Sequence, residues 1–478
     1  MNDMHKPLRT LVSVAIVGIM ATSTAYSGGF SLYTEDSPSA IGNYAAGIAA
    51  EAADASTGWY NPAGLALIHN QQIVAGGVGI FPSARLSGTS TFMTQGLNNY
   101  VQNFQDLQGG DNAFVPAFHY ALPVGENVTF GFSSVSPFGL STDWDQDSAV
   151  RYQATLSELI TVNLSPEFGV KLSDHFSYGA GLDFQYARVK FNTMLGAPNL
   201  FVPFFPATTV DTLSYNNGNS IGIGFHTGVM AMFNDNHTRI GLNYQSKMRH
   251  TFHGQSRLVG KLASPGLVLA NPASVIGANP DAVFRNTNLF SNPIELPDVV
   301  TLSGYQDVNE ALALLGSVVY TAWSSFDTIT LNNVAAPSIN PFTSQVSLVQ
   351  AVSSKQQNYL DAWRFALGAN YRLNQQWMLR AGGGYDATPT NNAFRDVRLP
   401  DVNRWALSIG THYQARPSIG VDVGYTHIFS AEDSTVNRTD PIGLTSAFNV
   451  NATSNAHVDL VGAQVVWNID QALEAPTK

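Results

Sequence analysis

The sequence predicts an all-β transmembrane barrel of 14 antiparallel strands, with a small helical segment near the N-terminus in its lumen. Apolar and polar residues alternate along most of the chain, and the connections between alternating segments are in turn short and long. After the first residues, no stretch is apolar for long enough to cross a bilayer as a helix. A chain that spans lipid without such helices must close a sheet, because only closure gives every backbone polar group a partner.

Residues 1–27 have the pattern of an export signal. Lys6 and Arg9 precede an apolar run from Leu11 to Met20, and small residues follow as far as Ser27. A membrane anchor would need about 18 or more apolar residues, which this run does not reach. We therefore expect the mature chain to begin at Gly28 and to reside in the bacterial outer membrane.

Residues 28–68 differ from everything that follows them. They are rich in alanine, glycine and serine, and they lack the alternation of a strand. Short helices and turns are the expected structure. Because both ends of an even-stranded barrel lie on the periplasmic side, this segment is expected inside the barrel as a hatch, or plug.

Residues 69–470 have the period of two that is typical of strands. In 155–172 and again in 176–186, aliphatic and aromatic residues share one face, and polar residues share the other. A soluble sandwich would show the same alternation with its apolar face inward. The lengths of the connections are what favour a barrel with an apolar exterior and a polar lumen.

The connections alternate strictly between short and long, with six short and seven long ones. They join 14 strands and leave residues 471–478 as a tail, and an even strand number is what bacterial single-chain barrels require. The short connections are 125–127, 173–175, 234–237, 306–310, 374–376 and 414–417, and the long ones are 86–112, 140–154, 195–219, 253–294, 328–357, 387–402 and 430–456.

Composition and motifs exclude several classes of function. Only 12% of residues are charged, the formal net charge is -11 and there is no cysteine, so nucleic acid is not an expected partner and disulfides cannot form. No pattern of a nucleophile, metalloprotease or phosphate loop is present. His250 and His253 lack further ligands beside them, so we expect no metal, no cofactor and no catalytic residue.

Two of the long loops are too apolar for free exposure to water. Apolar patches on a surface usually mark a binding site. The alternative is a small satellite core between the two loops, and both interpretations can hold together. The candidate ligand contacts are Leu200, Phe201, Phe204 and Phe205 in the first loop and Leu267 and Val268 in the second.

Pro137-Phe138-Gly139 lies near the end of the strand that begins at Val128. Proline removes a donor from the ladder and glycine weakens pairing, so the barrel wall could kink or open here. The alternative is a strand that simply ends in a loop. Spacing alone does not choose between the two.

Several motifs resemble the FadL-type long-chain fatty acid and hydrocarbon transporters of the outer membrane. Their order and spacing cover nearly the whole mature chain. They are Gly28-Gly29-Phe30, Asn61-Pro62-Ala63, Glu295-Leu296-Pro297-Asp298, Ser303-Gly304-Tyr305, Tyr320-Thr321-Ala322-Trp323-Ser324, Asp361-Ala362-Trp363-Arg364, Asp386 with Pro389, and Leu399-Pro400-Asp401 with Arg404.

The resemblance implies extracellular capture of a ligand, an inner pocket near the start of the hatch, and release through the barrel wall. Phe30 would then contact the inner pocket. Asn61-Pro62-Ala63 would lie near the kinked strand, and Pro137-Phe138-Gly139 would mark the kink and gate.

Arg188 resembles a basic pocket residue that would pair with a ligand carboxylate. Phe184 and Tyr186, on the same face of its strand, are grouped with it as candidate ligand contacts. The alternative for Arg188 is a contact with lipopolysaccharide at the rim, since that face is the outward one. Asp327–Val334 contains no lysine or arginine where fatty-acid-specific members can carry a second basic residue, so carboxylate specificity is not implied.

We therefore hypothesise that the protein is a monomer that takes up hydrophobic compounds passively and contacts outer-membrane lipids and lipopolysaccharide. The alternatives are a general porin for small polar solutes and a barrel-anchored enzyme or adhesin.

Overall fold

The computed structural model describes residues 29–470; the expected export signal and Gly28, and the tail after residue 470, lie outside the described residues. In chain order the strands are β1 (Gln72–Thr94), β2 (Tyr100–Gln108), β3 (Ala113–Val124), β4 (Val128–Val135), β5 (Gly139–Asp143), β6 (Leu156–Lys171), β7 (Phe176–Phe191), β8 (Thr193–Leu195), β9 (Thr212–Phe233), β10 (Thr238–Gln245), β11 (Met248–His250), β12 (His253–Val259), β13 (Val283–Ser291), β14 (Ile294–Leu296), β15 (Val299–Asp307), β16 (Leu312–Thr321), β17 (Thr328–Ile339), β18 (Val346–Gln356), β19 (Ala362–Arg372), β20 (Trp377–Asp386), β21 (Arg404–Arg416), β22 (Ile419–Ser430), β23 (Ser434–Ile442) and β24 (Ser446–Asn468).

Within the described residues, 14 of these strands form a closed antiparallel barrel, as the sequence predicts. They follow one another around the wall as β1, β3, β4, β6, β7, β9, β10, β15, β16, β19, β20, β21, β22 and β24. β24 then pairs with β1 along its whole length, from Gln72 opposite Asn468 to Thr94 opposite Ser446. This last pairing closes the barrel.

The outer face of the barrel is apolar and the inner face is polar. Along β19, Trp363, Phe365 and Leu367 are exposed, whereas Arg364 between them is 7% exposed. A polar residue buried between exposed apolar ones is the reverse of a soluble core. It is the arrangement expected of strands that face lipid outside and a filled interior inside.

Several of the predicted long loops are in fact continuations of the wall. The regions predicted as loops at 86–112, 328–357 and 430–456 contain the hairpins β1–β2, β17–β18 and β23–β24. Their sequences are polar and weakly patterned, so alternation does not mark them as strands. Backbone pairing with neighbouring strands extends them as sheet all the same.

No helix between residues 29 and 470 is long and apolar enough to cross a membrane. The α-helices are α1 (Ile48–Glu51), α2 (Thr57–Tyr60), α3 (Pro198–Phe201) and α4 (Pro272–Gly277), and 3-10 helices span Pro38–Gly42, Pro62–Leu67, Lys261–Ala263 and Trp323–Ser325.

Residues 29–68 form short helices and turns whose polar groups bond to the inner side of the barrel strands. The backbone N–H of Gly47 donates to Ser317 Oγ at 2.8 Å, and Arg364 Nη2 donates to the carbonyl of Tyr44 at 3.0 Å. The approach is close: a Cβ on Gly241 would lie 1.8 Å from the carbonyl oxygen of Ala49. Glycine at 241 therefore lets this segment touch the wall.

We predict that Leu367→Arg destabilises the protein in lipid vesicles. Leu367 is 75% exposed at the middle of β19, and arginine on the lipid face near the bilayer midplane costs about 2–4 kcal/mol. Guanidinium titration of the vesicle-inserted protein measures the free energy of unfolding. Leu444→Arg, at a 98% exposed position in the turn between β23 and β24, is the control and should change it little. Equal effects of the two substitutions would contradict a lipid-facing β19.

Candidate functional site

The wall is interrupted beside Pro137. β4 ends at Val135 and pairing resumes at Gly139 in β5, so the strand is broken and does not simply end in a loop. β3 pairs with β1 from Ala113 onward but with β4 only from Phe118 onward. One side of β3 therefore lacks its neighbouring strand next to the break.

Residues at the start of the described chain bond to the broken segment. Leu32 N–H donates to the carbonyl of Pro137 at 2.8 Å, and Gly139 N–H donates to the carbonyl of Phe30 at 2.9 Å. Ser31 is bridged to Phe138 in the antiparallel sense. A piece of the N-terminal segment thus takes the place of a neighbouring strand at the break.

Asp36 fixes the same region from inside. Its Oδ1 accepts from Ser136 N–H at 3.0 Å, and its Oδ2 accepts from Trp59 Nε1 at 2.9 Å. The carbonyl of Asp36 lies 3.0 Å from Nε2 of His119 on β3. Asp36 therefore accepts a hydrogen bond from the Ser136 N–H, which has no strand partner where the ladder breaks.

Sequence reasoning missed Asp36. A signal was present: Glu35 and Asp36 are adjacent carboxylates in a segment otherwise rich in alanine and glycine. Both are 1% exposed. Charged residues are almost never fully buried without partners. Two adjacent carboxylates in a segment expected inside the barrel therefore predict specific partners there.

The ring of Phe30 lies among four aromatic rings. The distances between ring centroids are 4.5 Å to Trp323, 5.1 Å to Phe326, 6.2 Å to Phe138 and 6.3 Å to Tyr359. All five side chains are 7% exposed or less. The sequence places Trp323 in a motif and near a strand end, where an aromatic residue also suits an interfacial girdle, but the structure buries its side chain; Tyr359 lies in none of the sequence motifs.

Gly29 is held next to this aromatic cluster by the loop after β20. Its N–H donates to Asp401 Oδ2 at 3.1 Å, and Asp401 Oδ1 lies 2.9 Å from Arg404 Nη1. Burial raises the pKa of the Asp401 carboxyl, and Arg404 opposes that rise. Gly29 has a φ of +72°, and a Cβ there would lie 2.9 Å from Pro389 Cγ, so glycine is required.

Asn61-Pro62-Ala63 is hydrogen-bonded to β7 and β9. Asn61 Nδ2 donates to the carbonyl of Val229 on β9 at 3.1 Å and to that of Ala49 at 2.7 Å. Ser177 Oγ on β7 donates to the carbonyl of Ala63 at 2.9 Å. The 3-10 helix Pro62–Leu67 also lies beside β4, whereas the hydrogen bonds at the break itself are made by residues 30–32 and Asp36.

The predicted loop residues divide into buried and exposed groups. Phe201 and Leu267 are 4% and 2% exposed in a shared apolar cluster, and Val268 forms an isolated bridge with Gln345. Leu200, Phe204 and Phe205 are 46%, 88% and 40% exposed. The satellite core therefore exists, and it leaves an apolar tip in water.

Phe184, Tyr186 and Arg188 lie on the outer face of β7. Phe184 and Tyr186 are 43% and 42% exposed, and Arg188 Nη2 lies 2.9 Å from Glu158 Oε1. Alternation along β7 places their side chains on the opposite face from buried Asp183 and Gln185. The structure does not bring these three residues together with Phe30.

A narrow cleft borders the break on the inner side. Ser31 and Phe138 line one part of it, and Gln185, Met248 and Pro297 line another. The cleft is therefore bounded by both the N-terminal segment and the broken strand.

Known proteins with similar sequences and structures agree with the barrel fold described above. Residues 18–468 match the family model described as outer membrane protein transport protein (OMPP1/FadL/TodX). The long-chain fatty acid transport protein of Salmonella typhi is 28% identical over 434 residues, which cover 89% of this chain and 92% of that protein.

Two solved structures share the fold. A Pseudomonas aeruginosa FadL homologue gives a TM-score of 0.75 at 23% identity, and the match covers 92% of this chain and 99% of that one. The Ralstonia pickettii toluene transporter TbuX gives a TM-score of 0.59 at 16% identity, with coverage of 90% and 98%.

We predict that Asp36→Ala loosens the broken strand. The substitution leaves the buried Ser136 N–H and Trp59 Nε1 without an acceptor, which costs about 1–3 kcal/mol for each such group. Hydrogen exchange of the peptide around residues 136–139 should speed up, and the unfolding temperature should fall.

Asp36→Asn keeps one acceptor oxygen and should have a smaller effect. Asp235→Ala, in the turn between β9 and β10, is a matched control. If exchange at 136–139 is the same in Asp36→Ala and the unchanged protein, Asp36 does not hold the break.

Proposed function

The chain belongs to the outer membrane protein transport protein family (OMPP1/FadL/TodX), and from this premise we propose passive uptake of long-chain fatty acids or hydrocarbons across the outer membrane. The relatives support this class of cargo, since they include a long-chain fatty acid transport protein and a toluene transporter. The observation that carries the proposal is the break in the wall, which is occupied by residues 30–32.

Residues 28–68 act as the hatch of a barrel that comprises residues 69–470, after removal of the signal 1–27. The proposal is supported by the burial of this segment and by its bonds to strands on opposite sides of the barrel. Ser303 on β15 and Gln464 on β24 both accept from its backbone N–H groups, at 3.2 and 3.3 Å. A segment tied to several strands blocks free passage of water-soluble molecules.

Capture begins at the exposed apolar tip formed by Leu200, Phe204 and Phe205. The buried cluster that includes Phe201 and Leu267 holds this tip in place, and the half-buried Val268 is bridged to Gln345 beside it. Exposed apolar surface of this kind favours contact with a hydrophobic ligand. The exposed rings concentrate cargo at the extracellular mouth.

The inner pocket is the place that the Phe30 ring now fills. Trp323, Phe326 and Tyr359 surround that ring, and a ligand that displaces it would meet the same aromatic surfaces. Displacement of Phe30 would also pull on Ser31 and Leu32, because they are adjacent in the chain. Ligand entry is thereby coupled to the bonds that close the break.

Release occurs sideways through the break at Pro137-Phe138-Gly139. An apolar ligand that leaves there enters lipid without crossing a polar lumen. Asn61-Pro62-Ala63 anchors the far part of the hatch to β7 and β9, so movement is concentrated near residues 30–32.

The cargo class extends beyond carboxylates. Arg188 lies on the outer face paired with Glu158, and Asp327–Val334 has no basic residue. A fatty-acid carboxylate therefore finds no cation at the aromatic cluster, either from Arg188 or from Asp327–Val334. Phe184 and Tyr186, exposed beside Arg188, are assigned to contacts with membrane lipid.

We assign no catalytic activity to the chain and regard it as a monomer surrounded by outer-membrane lipid and lipopolysaccharide. The closed pairing of β24 with β1 supports the monomer, since a single chain completes the barrel.

Pro137→Thr combined with Gly139→Thr should slow uptake of radiolabelled oleate and of toluene by cells. One restored ladder hydrogen bond adds about 1 kcal/mol to the closed state, which slows opening roughly fivefold. Binding of the same compounds to the purified protein should be unchanged. Pro123→Thr on β3, where pairing is already continuous, is the matched control. Unchanged uptake by the double variant would count against release through the wall.

Liposome swelling separates the proposal from a general porin. Proteoliposomes that carry the unchanged protein should swell slowly in arabinose, because the hatch fills the barrel. Fast swelling would refute a closed hatch and support the porin alternative.

A further inference from the structure

A band of basic side chains lies on the outer face, at the extracellular ends of strands β7, β12 and β13. β9 lies between β7 and β12, and β12 pairs with β13. On β7 the exposed apolar stripe ends at Tyr186, and on β9 it ends at Ile221. The residues that follow on the same outward face are polar or basic. This basic band consists of Arg188, Lys190, Arg257 and Arg285.

Alternation shows that the band faces outward. Arg188 and Lys190 alternate with buried Ala187 and Val189 on β7, and Arg257 lies between buried Ser256 and Leu258 on β12. Arg285 on β13 is directly opposite Arg257 and shares its face.

Arg257 and Arg285 form a pair of like charges. Directly opposite residues of an antiparallel pair have Cβ atoms about 4.5–5.5 Å apart, and like charges placed so destabilise the sheet. Among residues 29–470 no carboxylate forms an ion pair with either guanidinium. Arg257 lies 4.4 Å from the ring centroid of Tyr215, and its buried Nε has no hydrogen-bond partner. These two cations therefore lack a counter-charge within the described protein.

The two cations on β7 share a single carboxylate. Glu158 Oε1 lies 2.9 Å from Arg188 Nη2 and 3.0 Å from Lys190 Nζ. Arg188 Nε is also without a partner. The four cations and Glu158 together leave an excess of three positive charges at this part of the rim.

The spacing suits an extended anion with more than one charged group. Lys190 pairs with Asn217 and Arg257 pairs with Tyr215 on the strand between them, β9. Two strand spacings of about 4.8 Å and a two-residue offset separate the Cα atoms of Lys190 and Arg257 by roughly 12 Å.

We propose that the basic band binds the phosphate groups of lipopolysaccharide in the outer leaflet. The proposal rests on the outer-membrane setting of the proposed function and does not depend on the transport path. The band directly continues the lipid-facing apolar stripe, so an anion bound there stands where lipid headgroups begin. The planar guanidinium groups of arginine match phosphate oxygens two at a time.

The test uses the purified full chain in detergent micelles and two probes, bis-phosphorylated lipid A and the same lipid A after phosphatase treatment. The variant is Arg257→Gln combined with Arg285→Gln. Arg85→Gln is the matched control, because Arg85 is also exposed on an outer face but shares its groove with Asp106 and Asp433. Binding is measured by fluorescence titration, and unfolding temperature is measured with and without probe.

Phosphorylated lipid A should bind the double variant about tenfold more weakly than the unchanged protein, and Arg85→Gln should bind normally. Without lipid A the double variant should unfold at a higher temperature, because cross-strand repulsion is gone; with lipid A that order should reverse. Equal binding of the two probes, equal loss in the control, or equal affinity for inorganic phosphate and lipid A would overturn the proposal. Oleate uptake in vesicles free of lipopolysaccharide should be unaffected by the double variant, so failure here is separable from failure of the transport proposal.

Discussion

The structure depends on the need of every backbone N–H and C=O inside lipid to find a partner within the protein. Pairing of β24 with β1 meets that need around the whole circumference. The exception is the break after Val135, where the ladder with β3 stops and the N-terminal segment supplies the missing partners. The segment of residues 29–68 is thus bonded into the wall at the place where the ladder between β3 and β4 stops.

This arrangement links the inside of the barrel to its side. Phe30 occupies an aromatic cluster, and the two residues after it bond to the broken strand. Asp36 adds a second tie through Ser136. The bonds that close the break are fewer than those of an unbroken ladder.

The outside of the barrel is organised by the same division between lipid and water. Aromatic and aliphatic side chains cover the lipid-facing band. On β7 this band ends at Tyr186, and the next outward-facing residues, Arg188 and Lys190, are charged. Above that level the sheet continues into hairpins and packed loops, which bury Phe201 and Leu267 and leave Phe204 in water.

The sequence by itself determined the barrel, its 14 strands, its apolar exterior and the position of the irregular segment at Pro137, because alternation and turn length are local properties. Only the tertiary structure decided that Phe30, Trp323 and Tyr359 meet, that Asp36 reaches Ser136, and that Asn61 bonds to β9. It also separated Phe184, Tyr186 and Arg188 from the aromatic cluster around Phe30. Alternation along the strand had already indicated that Arg188 faces outward. These contacts join residues from about a hundred to about three hundred positions apart in the chain. The packing of residues 29–68 against the inner side of the strands fixes them, and no local pattern records it.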